Sequence, residues 1–216
     1  MSDLQGVLWD MDGTLVDTEP YWIECEFALV AEFGGTWTAA DAHSIVGFDL
    51  LDSARELRTR GGVDLAPEAI VEWLLDGVIT RVRDELPWRP GAHELLAACA
   101  EAQVPCALVT MSWRRLADAV IAAAPAGSFA ASIAGDEVTR GKPDPEPYRT
   151  AADALGVLPD RCVAIEDSPT GVASAIAAGC ATLGVPHVVP VAATPGLTIV
   201  DTLVGFDVDA LRRLLD

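Results

Sequence analysis

The stretch VLWDMDGTLVDTEP, residues 7–20, decides how this chain is read. An apolar run, Val7-Leu8-Trp9, leads directly into Asp10, and Asp12, Gly13 and Thr14 follow. Acids are poor strand formers and costly to bury. Two of them at i and i+2, at the end of an apolar strand, point to a solvated turn or to a positive charge held between them. Gly13 allows the sharp bend that would bring both carboxylates to one place. Oxygen donors so arranged suit a hard cation such as Mg²⁺. The alternative is a turn in which Asp10 or Asp12 caps a helix.

Working outward, short apolar runs of strand length recur at 6–9, 106–110, 131–134, 162–165 and 181–185. Ala- and Leu-rich segments with helical spacing lie between the later ones, and TGVASAIAAG ends on Gly179, a helix C-cap signal. This alternation predicts an α/β fold with a parallel sheet and covering helices. From Thr18 to Pro87 every segment has helical character, so a helical insertion interrupts the pattern after the first strand. The domain expectation is therefore a core of residues 1–17 and 88–216 and a helical domain of residues 18–87. Residues 186–204 carry no clear element.

The chain has 216 residues, 51% of them hydrophobic, enough for a substantial core. Acids outnumber bases 33 to 14, for a formal charge of −19. Such a surface repels nucleic acid and anionic membranes, so an anionic substrate needs local positive charge or a metal. No apolar stretch approaches the about 20 residues of a membrane span. The N-terminus lacks a signal-peptide pattern, and the scattered cysteines form no CxxC pair and read as free thiols. The expectation is a cytoplasmic protein, a monomer by default with a dimer as the alternative.

Three further places repeat the theme of chemistry at a strand end. CALVTMSW puts Thr110 at the end of a run, with Ser112 able to cap the next helix. RGKPDPEPY supplies Lys142, the single lysine of the chain, kept out of helical geometry by Pro143. CVAIEDSPTG places Glu166 and Asp167 after another apolar strand. Each has an ordinary reading: a strand threonine, a solvated lysine, an acid or Ser168 capping a helix.

Taken in order, DMDGTLVDTEP, Thr110, Lys142 and the Glu166-Asp167 pair resemble the motifs of the haloacid dehalogenase-like (HAD) hydrolase superfamily. The helical insertion after the first motif is similar to the β-phosphoglucomutase and phosphoglycolate phosphatase subgroup. The resemblance implies a Rossmann-like parallel-sheet core with an inserted helical cap. It implies Asp10 as nucleophile, Asp12 as general acid/base, and Thr110 and Lys142 as further catalytic groups. It implies Mg²⁺ as cofactor, held by Asp10, Asp12, Asp167 and Glu166. Substrate contacts would come from Thr110, Met111, Ser112 and Lys142, with Glu19 and Trp22 from the cap. Tyr21, Gly47, Phe48, Arg81 and Arg83 are further cap candidates, and Arg114 and Arg115 could reach a substrate's distal end.

The implied activity is Mg²⁺-dependent hydrolysis of a small phosphorylated metabolite through an aspartyl phosphate. Asp12 speaks against dehalogenation, whose ester intermediate needs no protonated leaving oxygen. A phosphomutase is the alternative. In that subgroup a His follows the first motif and an Arg in the cap grips the distal phosphate. Here Trp22 falls at the first place, and IVGFDLL offers no base at the second. A reading of another class is a non-catalytic binder of a phosphorylated ligand.

Overall fold

The computed structural model describes residues 3–46 and 48–215. The chain divides into two compact units, Thr18–Leu86 and the remainder. Pro87 lies with the α/β unit, where its carbonyl accepts from the Asp17 amide at 2.8 Å.

In the α/β unit the described residues form a parallel sheet of β1 (Gly6–Trp9), β2 (Cys106–Val109), β3 (Ala131–Ile133), β4 (Cys162–Glu166), β5 (Ala181–Gly184) and β6 (Leu197–Ile199). The order is β3-β2-β1-β4-β5-β6, with β1 in the interior. Every residue of β1, β2 and β4 is buried, which is why these strands read as unbroken apolar runs rather than as alternations. β6 falls in the segment where the sequence carried no clear element. It is a three-residue edge strand with two exposed positions, so neither length nor burial marked it.

The helices of this unit are α5 (Ala92–Glu101), α6 (Arg114–Ala123), α7 (Glu146–Leu155), α8 (Pro169–Ala178) and α9 (Val208–Arg212). Alternation sends Leu8, Ala107, Val109 and Ala164 to one face of the sheet, where they pack with Tyr148, Ala151 and Ala152 of α7 and Ala175 of α8. Ser168 caps α8 by accepting from the Gly171 amide, and Gly179 ends it at φ 99°, as the sequence suggested.

The helical unit holds α1 (Glu19–Glu32), α2 (Ala39–Ser44), α3 (Leu50–Thr59) and α4 (Pro67–Asp84). Helix α4 packs on α1 and α3, and its Ile70, Val71, Leu74, Leu75 and Val78 are buried. A capping box of Thr38 and Asp41 starts α2, and Asp49 caps α3. Glu26 is buried in this unit and accepts from the Trp37 indole at 3.0 Å. Among the described residues no helix is long and apolar enough to cross a membrane.

Candidate active site

Strand register assembles the site. Trp9 pairs with Leu108 on one side and Ile165 on the other. The residues that follow, Asp10, Thr110 and Glu166-Asp167, therefore emerge at the carboxyl edge of neighbouring strands, where open α/β sheets place their sites. The Asp10 amide donates to the Ile165 carbonyl at 3.0 Å, which fixes where the first acid leaves the sheet. The helix-cap alternative for Asp10 and Asp12 fails, because the next helix starts at Glu19 with Thr18 at its N-cap.

Lys142 sits at the centre. Its ammonium donates to Asp10 Oδ1 at 2.6 Å, Glu166 Oε1 at 2.6 Å and the Val109 carbonyl at 2.9 Å. An ammonium has three donors, and all are used. The Lys142–Pro143 peptide is cis, and the Lys142 amide donates to Met111 Sδ at 3.3 Å. The solvated-lysine reading is thus replaced by a buried ion pair.

Glu166 lies inside β4 rather than after it, and it is fully buried. Oε1 takes Lys142 and the Tyr148 hydroxyl; Oε2 takes the Ser168 amide and hydroxyl. With both oxygens engaged, its evident part is to hold Lys142 beside Asp10. The close fit explains Gly171, in the first turn of α8. A Cβ there would collide with the Glu166 carboxylate. Gly13, at φ 86°, makes the turn after the first motif, and a Cβ there would collide with Asp167. Asp167 also accepts from the Thr14 hydroxyl at 3.4 Å.

One oxygen from each of Asp10, Glu166 and Asp167 lies within 4.8 Å of the others. Burial pushes the Asp10 carboxyl well up, with Glu166 adding to the rise and Lys142 opposing it. Burial, then Glu166, pushes Asp167 up to about 7. Burial works against the charge of Lys142, but Asp10 and Glu166 more than offset it and its pKa is raised. A single ammonium cannot neutralise three clustered carboxylates. Asp10 Oδ2 is moreover buried with no hydrogen-bond partner, a costly state for a charged oxygen. A hard, all-oxygen donor set with an orphaned anionic oxygen fits a divalent cation such as Mg²⁺.

Asp12 directs its carboxylate elsewhere. Oδ2 accepts from Ser112 Oγ at 2.8 Å and Thr110 Oγ1 at 3.2 Å. The Ser112 amide in turn donates to Thr110 Oγ1 at 3.0 Å. Ser112 is therefore not the cap of α6; Trp113 holds that position, and the Arg114 amide is taken by Asp136. Arg114 is held within the framework by Glu137, Asp118 and Ser132.

Of the residues expected from the other unit, Glu19 opens α1 and Trp22 lies one turn on, both half-buried. Arg81 is engaged by Glu24 at 3.0 Å and the Gly77 carbonyl at 3.1 Å. Phe48 is exposed. Gly47 lies outside the described residues. Tyr148 and Gly171 were not singled out by the sequence. Tyr148 is three and four residues from Ala151 and Ala152 on α7 and is buried with them. Gly171 looked like one more small residue in TGVASAIAAG.

The haloacid dehalogenase-like hydrolase family matches residues 4–179. Hexitol phosphatase A of Escherichia coli is 34% identical over 203 residues, 91% of this chain and 88% of that protein. The phosphorylated carbohydrates phosphatase of Thermotoga maritima is 30% identical over 186 residues, 82% of each. CbbY from Rhodobacter sphaeroides, solved in complex with xylulose-(1,5)bisphosphate, superposes with a TM-score of 0.85 at 26% identity, covering 96% of this chain and 99% of that one. With its four motifs gathered at one sheet edge, this chain belongs to the haloacid dehalogenase-like hydrolase family.

Proposed function

We propose that the protein hydrolyses the phosphomonoester of a small phosphorylated sugar or polyol through an aspartyl phosphate on Asp10. The observation that carries this reading is the Asp10 carboxylate: buried, ion-paired through Oδ1, and with Oδ2 left without a partner. An Asp oxygen attacks phosphorus, and the bond from phosphorus to the ester oxygen breaks. Asp12 gives its proton to the departing alkoxide. A water then attacks the phosphorus of the acyl phosphate, Asp12 takes up its proton, and Asp10 is released with inorganic phosphate.

Lys142 screens the charge that builds between nucleophile and phosphoryl oxygens. Thr110, which donates to Asp12 in the resting site, turns to a phosphoryl oxygen when substrate is bound. Asp10, Asp167 and the backbone of Asp12 would hold Mg²⁺, with Glu166 beside them. When bound, Mg²⁺ supplies the neutralisation that lets one anion approach another.

The relatives' names support a sugar-phosphate substrate and favour hydrolysis over the phosphomutase alternative. The test is phosphate release from a panel of hexose, pentose and hexitol phosphates, with Mg²⁺ and with chelator. The panel includes β-glucose 1-phosphate with a trace of the 1,6-bisphosphate. Metal-dependent phosphate release is the expected result. Isomerised sugar phosphate with little free phosphate would make the protein a mutase. Inactivity throughout would favour a non-catalytic binder.

A further inference from the structure

Tyr148 closes the stretch that carries Lys142 but was given no role above, yet its hydroxyl reaches the centre of the site. It lies on the buried face of α7 and is wholly enclosed. Its hydroxyl donates to Glu166 Oε1 at 2.7 Å, the oxygen that also takes Lys142. The Lys142 ammonium lies 5.0 Å from the centre of the Tyr148 ring, within cation–π range. One side chain thus touches both the carboxylate and the cation.

This matters because two carboxylates compete for one ammonium. Asp10 and Glu166 each accept from Lys142 at 2.6 Å. A phenol donating to Oε1 draws charge from that oxygen and weakens the Glu166 side of the competition. The ring also lies against the ammonium.

We infer that Tyr148 is a positioning residue for the reaction proposed above, its hydroxyl holding Glu166 so that Lys142 stays aimed at Asp10 and the phosphoryl oxygens bound there. The inference rests on that functional reading, but part of its test does not. Lys142 is the only lysine in the chain, so lysine labelled with ¹⁵N reports a single side-chain ammonium resonance.

Tyr148→Phe keeps the ring and removes the donor. In metal-free protein the variant should shift the Lys142 ¹⁵Nζ resonance and speed exchange of its ammonium hydrogens by about fivefold or more, as expected when one bond of a buried network is lost. With Mg²⁺ and the best sugar phosphate, kcat should fall about tenfold while KM stays within about twofold, the pattern of an interaction used in the transition state. An unmoved resonance, or a wild-type kcat, would overturn the inference. A lowered Tm with an unmoved resonance would mark Tyr148 as packing alone. If the wild type hydrolysed no phosphomonoester, the functional reading would fall, while the resonance would still tell a hydroxyl that holds the ammonium from one that packs.

Discussion

Each unit of the protein buries a glutamate, and the two are treated differently. Glu166, in the α/β unit, is met by an ammonium, a phenol, a hydroxyl and a backbone amide. Glu26, in the helical unit, accepts an indole N–H from Trp37, and burial pushes its carboxyl up to about 7. A buried carboxylate either keeps its charge by gathering donors or gives up the charge by holding a proton. The site gathers donors around Glu166, but at Asp10 and Asp167 burial outweighs the positive charge that Lys142 supplies. That shortfall is what a cation would meet.

The strongest way to break the comparison is at Asp10. Asp10→Asn keeps the volume and removes the proposed nucleophile. Turnover should fall about ten-thousandfold or more, while circular dichroism stays that of the wild type. Lys142→Met comes next. It leaves Asp10 and Glu166 facing each other without their cation, and denaturant unfolding of the metal-free protein should report a loss of about 3–5 kcal/mol.

The helical unit sharpens the contrast through pH. The folded state holds the Glu26 proton up to about pH 7, whereas the unfolded chain releases it near its ordinary value of 4.5. The folded state therefore binds more protons between those values, and stability falls as pH rises through that window. Up to about 3 kcal/mol is lost this way by pH 8.5. Glu26→Gln keeps an acceptor for Trp37 without the ionisation, so the difference in stability between pH 5 and pH 8.5 should shrink by that amount. Ser168→Ala is the mildest change. It removes the α8 cap and one donor to Glu166, for a loss of about 1 kcal/mol in urea unfolding.

The sequence carried most of the fold because its buried strands are continuous apolar runs and its helices carry clear start and stop signals. Gly179 marked the end of α8, while its start was left between Ser168 and the acid before it. Where sequence reading stopped, the reason is physical. β6 is short, at the sheet edge and partly exposed, so it has no apolar signature. Ser112 looked like a cap because a serine before a helix commonly is one. Its hydroxyl is instead drawn across to Asp12, a partner 100 residues away in sequence. Tyr148 and Gly171 owe their roles to Glu166, and only folding brings α7 and the start of α8 around that carboxylate.

The most direct test of the central claim is to trap the phosphoryl group on the chain. Wild-type protein, loaded with Mg²⁺ and mixed with a ³²P-labelled sugar phosphate that it turns over, is quenched in acid within milliseconds. The account predicts label retained on the denatured chain, released by hydroxylamine as an acyl phosphate, and absent from Asp10→Asn. Turnover with no label on the wild-type chain, or label persisting in Asp10→Asn, would contradict it.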